Sequence, residues 1–294
     1  MKIQTNSPKG ATYVNLGCGN RYHPAWINID VFPSAEGIIA HDLSQGIPLA
    51  DASCDVVYHS HLLEHLRPAQ ARQFMQECFR VSKPGGVLRV AIPDLEQICL
   101  QYLEKLQGAV NQDEMAASDY DWMLLEMYDQ TVRERSGGLM LEYLYQSPLP
   151  NESFIYERIG EEGRGLVRAV REQSPDKSGP APARGENVGL RKLLRKLRTL
   201  PSMIRSRLLT RWLGPDGLRA LEIGRFRLAG EVHQWMYDRY SLARLMVTAG
   251  FEHPIQQTAT RSQVSDWSSY NLDTLPDGTV IKPDSLFMEA TRPL

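Results

Sequence analysis

"TYVNLGCGNRYHPAWINID", Thr12–Asp30, holds two short apolar runs, with a pair of glycines after the first and an aspartate closing the second. Short apolar runs bounded by turn signals suit strands buried on both faces of a parallel sheet. Glycine adopts backbone conformations that other residues avoid, and lets a ligand lie directly on the chain. In an open α/β sheet, ligands bind beyond the carboxyl ends of the strands. The sequence places Gly17 and Gly19 at one such end and Asp30 at the end of the next strand. If the strands are neighbours, a carboxylate stands beside a bare loop.

The same texture continues outward. "EGIIAHDL" is a short third strand, "CDVVYHS" a fourth and "GGVLRVAIP" a fifth, apolar on both faces. Between the last two, Ala71, Phe74, Met75, Cys78, Phe79 and Val81 recur at helical spacing, with Pro68 as a start signal and Pro84-Gly85-Gly86 as a stop. Near the end, "YSLARLMVTAGFEHPIQQTA" predicts a helix capped by Ser241 and closed by Gly250, then a strand. A final strand is expected over Leu286–Thr291. Strands alternating with helices predict a parallel α/β sheet. Residues 1–100 and 232–294 are expected to form one α/β core, with 101–231 as a mainly helical insertion or lid.

Within the insertion, "DYDWMLLEMYDQTVRERSGG" reads as a helix with a Gly-Gly stop. A segment near 172–189, rich in Pro, Gly and charge, is expected to be flexible. Residues 190–213 carry leucines on a stripe flanked by Arg and Lys, with no acidic residue. That pattern suits a solvated helix packed by its leucines, contact with an anionic membrane, or another anionic partner. The 294 residues suffice for a sizeable core, and the net charge of −2 makes a general nucleic-acid binder unlikely. Cys18, Cys54, Cys78 and Cys99 show no C-x-x-C or zinc spacing, as expected for reduced thiols in the cytoplasm. A peripheral position at the inner face of the membrane fits the same chain. The N-terminus has no signal-peptide run, and no apolar run approaches the ~20 residues of a membrane span.

A carboxylate at Asp30 can accept hydrogen bonds from the two hydroxyls of a ribose. Dinucleotide sites usually add a third glycine and a helix that faces the pyrophosphate. Here Gly19 is followed by "NRYHPAW", with neither. S-adenosylmethionine has the ribose and adenine but no phosphate, and needs only the loop and the acid. Asp42, at the end of the third strand, can accept from an adenine amino group.

The ordered set "NLGCGN", "NIDVF", "HDLSQGIPLADASCDVVYHSHLLEHL", "ECFRVSKPGG" and "LRVAIPDLE" resembles the class I, type-11-like methyltransferases that use S-adenosylmethionine. The tail "HQWMYDRYSLARLMVTAGF" and "DGTVIKPDSLFMEA" is similar to a bacterial branch of that group. The resemblance covers about the first hundred and last sixty residues. It implies a doubly wound, mostly parallel seven-stranded sheet, Rossmann-like, with one antiparallel strand. It also implies that Gly17, Gly19, Asp30 and Asp42 line the cofactor. Cys18, Val31 and Leu43 flank those residues, and His59 is expected to border the cofactor as well. The connection from Gly19 to Ile27 is shorter than the dozen or more residues of a normal crossover. The family's first helix is therefore expected to be cut to a turn, with Pro24 and Trp26 covering the sheet.

His61 and His233 are the candidate general bases, with Asp94 behind them; Asp94 also suits a helix N-cap. Trp235 and Tyr237 are candidate substrate contacts. His61 and His65 stand one helical turn apart, yet no H-E-x-x-H motif is present and no metal is expected. The expected reaction is methyl transfer to a small molecule or glycan, with a hydroxyl of a sugar or lipid-linked saccharide as acceptor. The alternatives are a nicotinamide-dependent oxidoreductase and a non-catalytic interaction module.

Overall fold

The computed structural model describes residues 10–173 and 212–294. The predicted flexible segment near 172–189 and the basic stretch 190–213 lie almost wholly outside the described residues. Seven strands form one sheet in the order β3-β2-β1-β4-β5-β7-β6. They are β1 (Tyr13–Leu16), β2 (Ile27–Asp30), β3 (Ile38–Ala40), β4 (Cys54–Ser60), β5 (Ser82–Pro93), β6 (Glu252–Gln257) and β7 (Ser285–Thr291). The first five pair in parallel, and β7 runs antiparallel to both β5 and β6. This is the expected doubly wound arrangement. The order reverses at β1, so the ends of β1 and β4 open the crevice where such sheets hold ligands.

Side chains alternate between the two faces of each strand. Val14, Leu16, Val57, Leu88 and Val90 pack on one face against α1 (Pro68–Val81) and the helix Arg239–Ala249. The other face carries Val56 and Tyr58 with Trp26, Trp267 and Tyr270. No helix joins β1 to β2, and residues 20–26 form only turns. The Trp26 ring lies 5.2 Å from Tyr270, 6.0 Å from Trp267 and 6.1 Å from Tyr58. An aromatic cluster thus covers the sheet where a crossover helix would sit. Trp26 is buried but Pro24 is exposed, so the tryptophan alone does the covering.

Three local readings are corrected. Asp238 caps the helix Arg239–Ala249, and Ser241 is its capping-box partner rather than the cap. Gly250 closes that helix at φ 108°, as expected. β5 starts at Ser82, directly after α1, and a register shift against β4 takes up the Pro84-Gly85-Gly86 stop. The predicted helix across 119–138 is broken. Helix α3 (Glu114–Leu124) passes through a π-helical turn, Leu125–Asp129, and Gly137-Gly138 opens the next helix, Gly138–Leu144. Asp129 folds back to accept from the backbone N–H of Leu139 at 2.7 Å. A Cβ on Gly138 would sit 2.3 Å from that carboxylate.

Between β5 and β6 the described chain is mainly helical: α2 (Leu95–Val110), α3, Gly138–Leu144, Glu152–Gln173 and a stretch over 212–227. All but the last of these share a second core that includes Ile98, Trp122, Met123, Leu144 and Ile155. Among the described residues no helix is long and apolar enough to cross a membrane.

Candidate functional site

The site is built at the ends of β1, β2 and β4. Gly17 and Cys18 donate their backbone N–H groups to Ile29 O at 2.8 and 3.2 Å, which pins the bend to β2. Gly17 has φ +65°, and a Cβ there would lie 2.1 Å from Leu62 Cδ1. Asp30 is turned toward this bend. Its Oδ2 accepts from Gly19 N–H and its Oδ1 from Phe32 N–H, each at 2.8 Å. These donors fix the carboxylate and leave lone pairs on both oxygens. Asp42 caps the turn Leu43–Gln45, accepting from Ser44 N–H at 2.9 Å. The Ser44 hydrogen bonds hold the Asp42 carboxyl below the usual range.

A cavity of about 450 Å³ lies between these strand ends and α1. Gly17, Asp30, Val31, Asp42, Leu43 and His61 all line it. Cys18 and Gly19 border a separate space of about 200 Å³ on the other side of the bend. Burial, followed by the charge of Asp30, pushes the Cys18 thiol up to about 11, so it is no nucleophile. His59 does not reach the cavity. It is fully buried beside Phe74, its ring 5.1 Å away, and burial draws its pKa down to about 4.

A second cavity of about 410 Å³ sits under the helical region. His61, Glu64, His65, Arg133, Glu162, His233, Lys282 and Asp284 are among its walls. His61 and His65 line both cavities. His61 holds φ 50°, a left-handed conformation uncommon for a side-chain-bearing residue and concentrated at functional sites. Its Nδ1 lies 3.2 Å from Glu64 Oε1 and its Nε2 2.8 Å from Ser285 Oγ. Burial opposes ionisation of Glu64, but the hydrogen bond from His61 and the charges of His61, His65 and His233 outweigh it, drawing the carboxyl down to about 2. Burial lowers His233 to about 3, against the pull of Glu64.

The other predicted contacts fall elsewhere. Asp94 caps α2, accepting from Glu96 and Gln97 N–H, and lines neither cavity. Tyr237 is 4% exposed within the sheet core, and burial pushes its hydroxyl up to about 12. Trp235 is half exposed and borders neither cavity. Sequence reasoning missed the α1 wall of the first cavity, Gln70, Gln73, Phe74 and Glu77, with Leu66 just ahead of the helix. Positions 70, 73 and 77 step by three and four, a helical stripe that could have been found beside the apolar one. Gly230, on the return from the insertion, also reaches this cavity.

Residues 20–90 match the family model of a methyltransferase domain. This part of the α/β core is similar to a class I methyltransferase domain. Its glycine bend begins just before the matched residues. Over 56 residues the chain is 46% identical to a probable S-adenosylmethionine-dependent methyltransferase of Mycolicibacterium smegmatis, a match covering 19% of this chain. The match spans 21% of that relative's length. Among solved structures, a SAM-dependent methyltransferase from Archaeoglobus fulgidus shares 11% identity at a TM-score of 0.37, covering 97% of this chain and 87% of its own. A putative methyltransferase bound to the Haloferax volcanii Trm112 activator shares 10% at 0.34, covering 99% and 86%. The strand order rests on the sheet's own hydrogen bonds.

Proposed function

We propose that this chain transfers a methyl group from S-adenosylmethionine to a polar, hydroxyl-bearing acceptor. The observation that carries the reading is the pair of cavities that share His61 and His65. One is bordered by the glycine bend and two strand-end acids, as an adenosyl group requires. The other is lined by ionisable groups, as a polyhydroxylated acceptor requires. In this reading Asp30 takes the ribose hydroxyls and Asp42 the adenine amino group, with Val31 and Leu43 beside the base. The sulfonium methyl then faces the shared wall.

Methyl transfer is an in-line displacement, and its main demand is alignment. An acceptor oxygen bonds to the methyl carbon while the carbon–sulfur bond breaks and its electron pair stays on sulfur. The acceptor's proton must leave. With Nδ1–H toward Glu64, His61 presents a lone pair at Nε2, where Ser285 Oγ now stands. The acceptor hydroxyl either replaces Ser285 or passes its proton through it. His61 is therefore the base. A sugar or lipid-linked saccharide fits the chemistry of the second cavity, and peripheral contact with an anionic membrane through 190–213 would bring a lipid-linked acceptor close.

Labelled methyl uptake from S-adenosylmethionine, screened over sugars and lipid-linked saccharides, tests the reading. His61→Asn should lower turnover by about 10²- to 10⁴-fold, the usual contribution of a general base, while cofactor binding persists. Turnover at the wild-type rate would remove His61 from the mechanism. For the membrane, flotation with anionic vesicles at low salt should carry the protein upward, and a protein left at the bottom ends that part of the proposal.

A further inference from the structure

Beneath the shared wall lies a second constellation. Glu64, His65 and His233 present one ligand atom each, and these atoms all lie within 4.8 Å of one another. The three come from two distant places in the chain. Glu64 and His65 belong to the single turn Leu63–His65 after β4, and His233 to the return from the insertion. The backbone clamps them together. Glu64 O accepts from Gln234 N–H at 2.7 Å and Trp235 N–H at 3.2 Å, and His233 N–H donates to Gln130 O at 2.9 Å. The His65 and His233 rings meet edge to face, 4.8 Å between centroids.

The charge balance around Glu64 calls for a cation. Its side chain is 1% exposed, and beyond the His61 contact at Oε1 its Oε2 has no hydrogen-bond partner among the described residues. Its ionic contact is His61 Nδ1. The nearby cations pair elsewhere: Arg133 through its terminal nitrogens with Asp129 and Glu231, its Nε having no partner among the described residues, and Lys282 with Glu162. His65 Nδ1 is also buried with no hydrogen-bond partner among the described residues. A buried carboxylate lacking a Lys or Arg partner is costly unless another positive charge satisfies it.

We propose that Glu64, His65 and His233 bind a divalent transition-metal ion, of the zinc or manganese class, at the floor of the acceptor cavity. Two imidazoles and a carboxylate are a standard donor set for such ions and leave a coordination position open. Ligand atoms around a tetrahedral ion stand about 3.4 Å apart, so the set closes by roughly 1 Å on binding. Because all three residues line the 410 Å³ cavity, the open position faces the acceptor. A bound acceptor oxygen would be oriented there and would lose its proton more readily. That use of the ion rests on the methyl-transfer reading, whereas occupation of the site does not.

The test is cobalt(II) titration of the metal-stripped full-length protein without S-adenosylmethionine, followed by visible absorption and by competition with zinc. One equivalent should bind and give ligand-field bands that zinc abolishes. His65→Ala and His233→Ala should each weaken binding by about 100-fold or more, at least the effect of losing an outer-shell partner. His253→Ala, an exposed histidine remote from the cavity, should bind as wild type. A far-ultraviolet spectrum like that of wild type shows that each variant is folded, and Glu64→Gln serves if either histidine variant is not. No stoichiometric cobalt binding, or binding unchanged in every folded variant of Glu64, His65 and His233, overturns the site and leaves a protonated histidine as the counter-charge of Glu64. Cobalt binding by a protein with no affinity for S-adenosylmethionine would sink the methyl-transfer reading alone.

Discussion

Gly17 cannot carry a side chain without displacing Leu62, a wall of the larger strand-end cavity. Gly19 shares a positive φ, yet a Cβ there meets nothing within 4 Å. The pair therefore separates backbone strain from cavity filling. Either alanine should lower stability by about 1–2 kcal/mol, the cost of a left-handed L-residue, seen by urea unfolding. Gly17→Ala should in addition weaken S-adenosylmethionine binding about tenfold or more than Gly19→Ala, by calorimetric titration; equal affinities would mean that Leu62 does not border the ligand. At this scale the sequence was readable where a residue's type is unusual for its place. A glycine pair and an acid at strand ends carry that signal. It was unreadable where only the face of a strand decides. His59 and His61 look alike in "HSHLLEH", but alternation turns His59 with Val57 into the core, while His61 begins the turn beyond β4. The Glu64–His65–His233 set was hidden for a different reason: Glu64 and His65 are neighbours, but His233 lies far along the chain, and spacing cannot show what a return loop brings back.

The α1 helix works on both of its sides. Its apolar stripe packs on the sheet, and its neighbouring stripe faces the cavity through Gln70, Gln73 and Glu77. Glu77 also braces the loop that carries Asp42. Its Oε2 accepts from Ile47 N–H at 2.9 Å, and Arg80 reaches both Glu77 and Ile47 O. The Arg80 hydrogen bond, chiefly, holds the Glu77 carboxyl below its ordinary value, against burial. A depressed carboxylate stabilises the fold fully above its unfolded pKa of about 4.3, and this contribution is lost as pH falls through the folded value. Urea midpoints of wild type and Glu77→Gln should therefore differ at pH 7 and converge toward pH 3. A gap that stays constant would show that Glu77 does not act through its charge. The missing crossover helix was legible from a simple residue count. Its replacement was not, because Trp26 meets Trp267 and Tyr270 only after the whole chain has folded. The broken helix after α3 escaped for a similar reason: Asp129 caps a later helix, a tertiary choice that overrides helical periodicity.

Over the whole molecule, two long-range ties join the last strands to the first hundred residues. Arg89, on central β5 and fully buried, pairs with Asp273 and Glu289 at 2.7 Å each and stacks over Trp267. Tyr58 donates to the same Asp273 at 2.6 Å. The residue breaks the apolar pattern of β5, and its partners lie far away in sequence, so only "GGVLRVAIP" as a strand was readable. The second tie is the return loop that lays Gly230 on one cavity and His233 on the other. Both cavities depend on it, and both open where the sheet order reverses. The central proposal is that an adenosyl sulfonium lies on the Gly17 bend with its ribose on Asp30. Isothermal titration of wild type and Asp30→Ala with S-adenosylmethionine tests it most directly. Charge-assisted hydrogen bonds of about 1.5–3 kcal/mol predict saturable wild-type binding and roughly 10- to 100-fold weaker binding by the variant. Equal affinity in both proteins, or no binding by wild type, would contradict it.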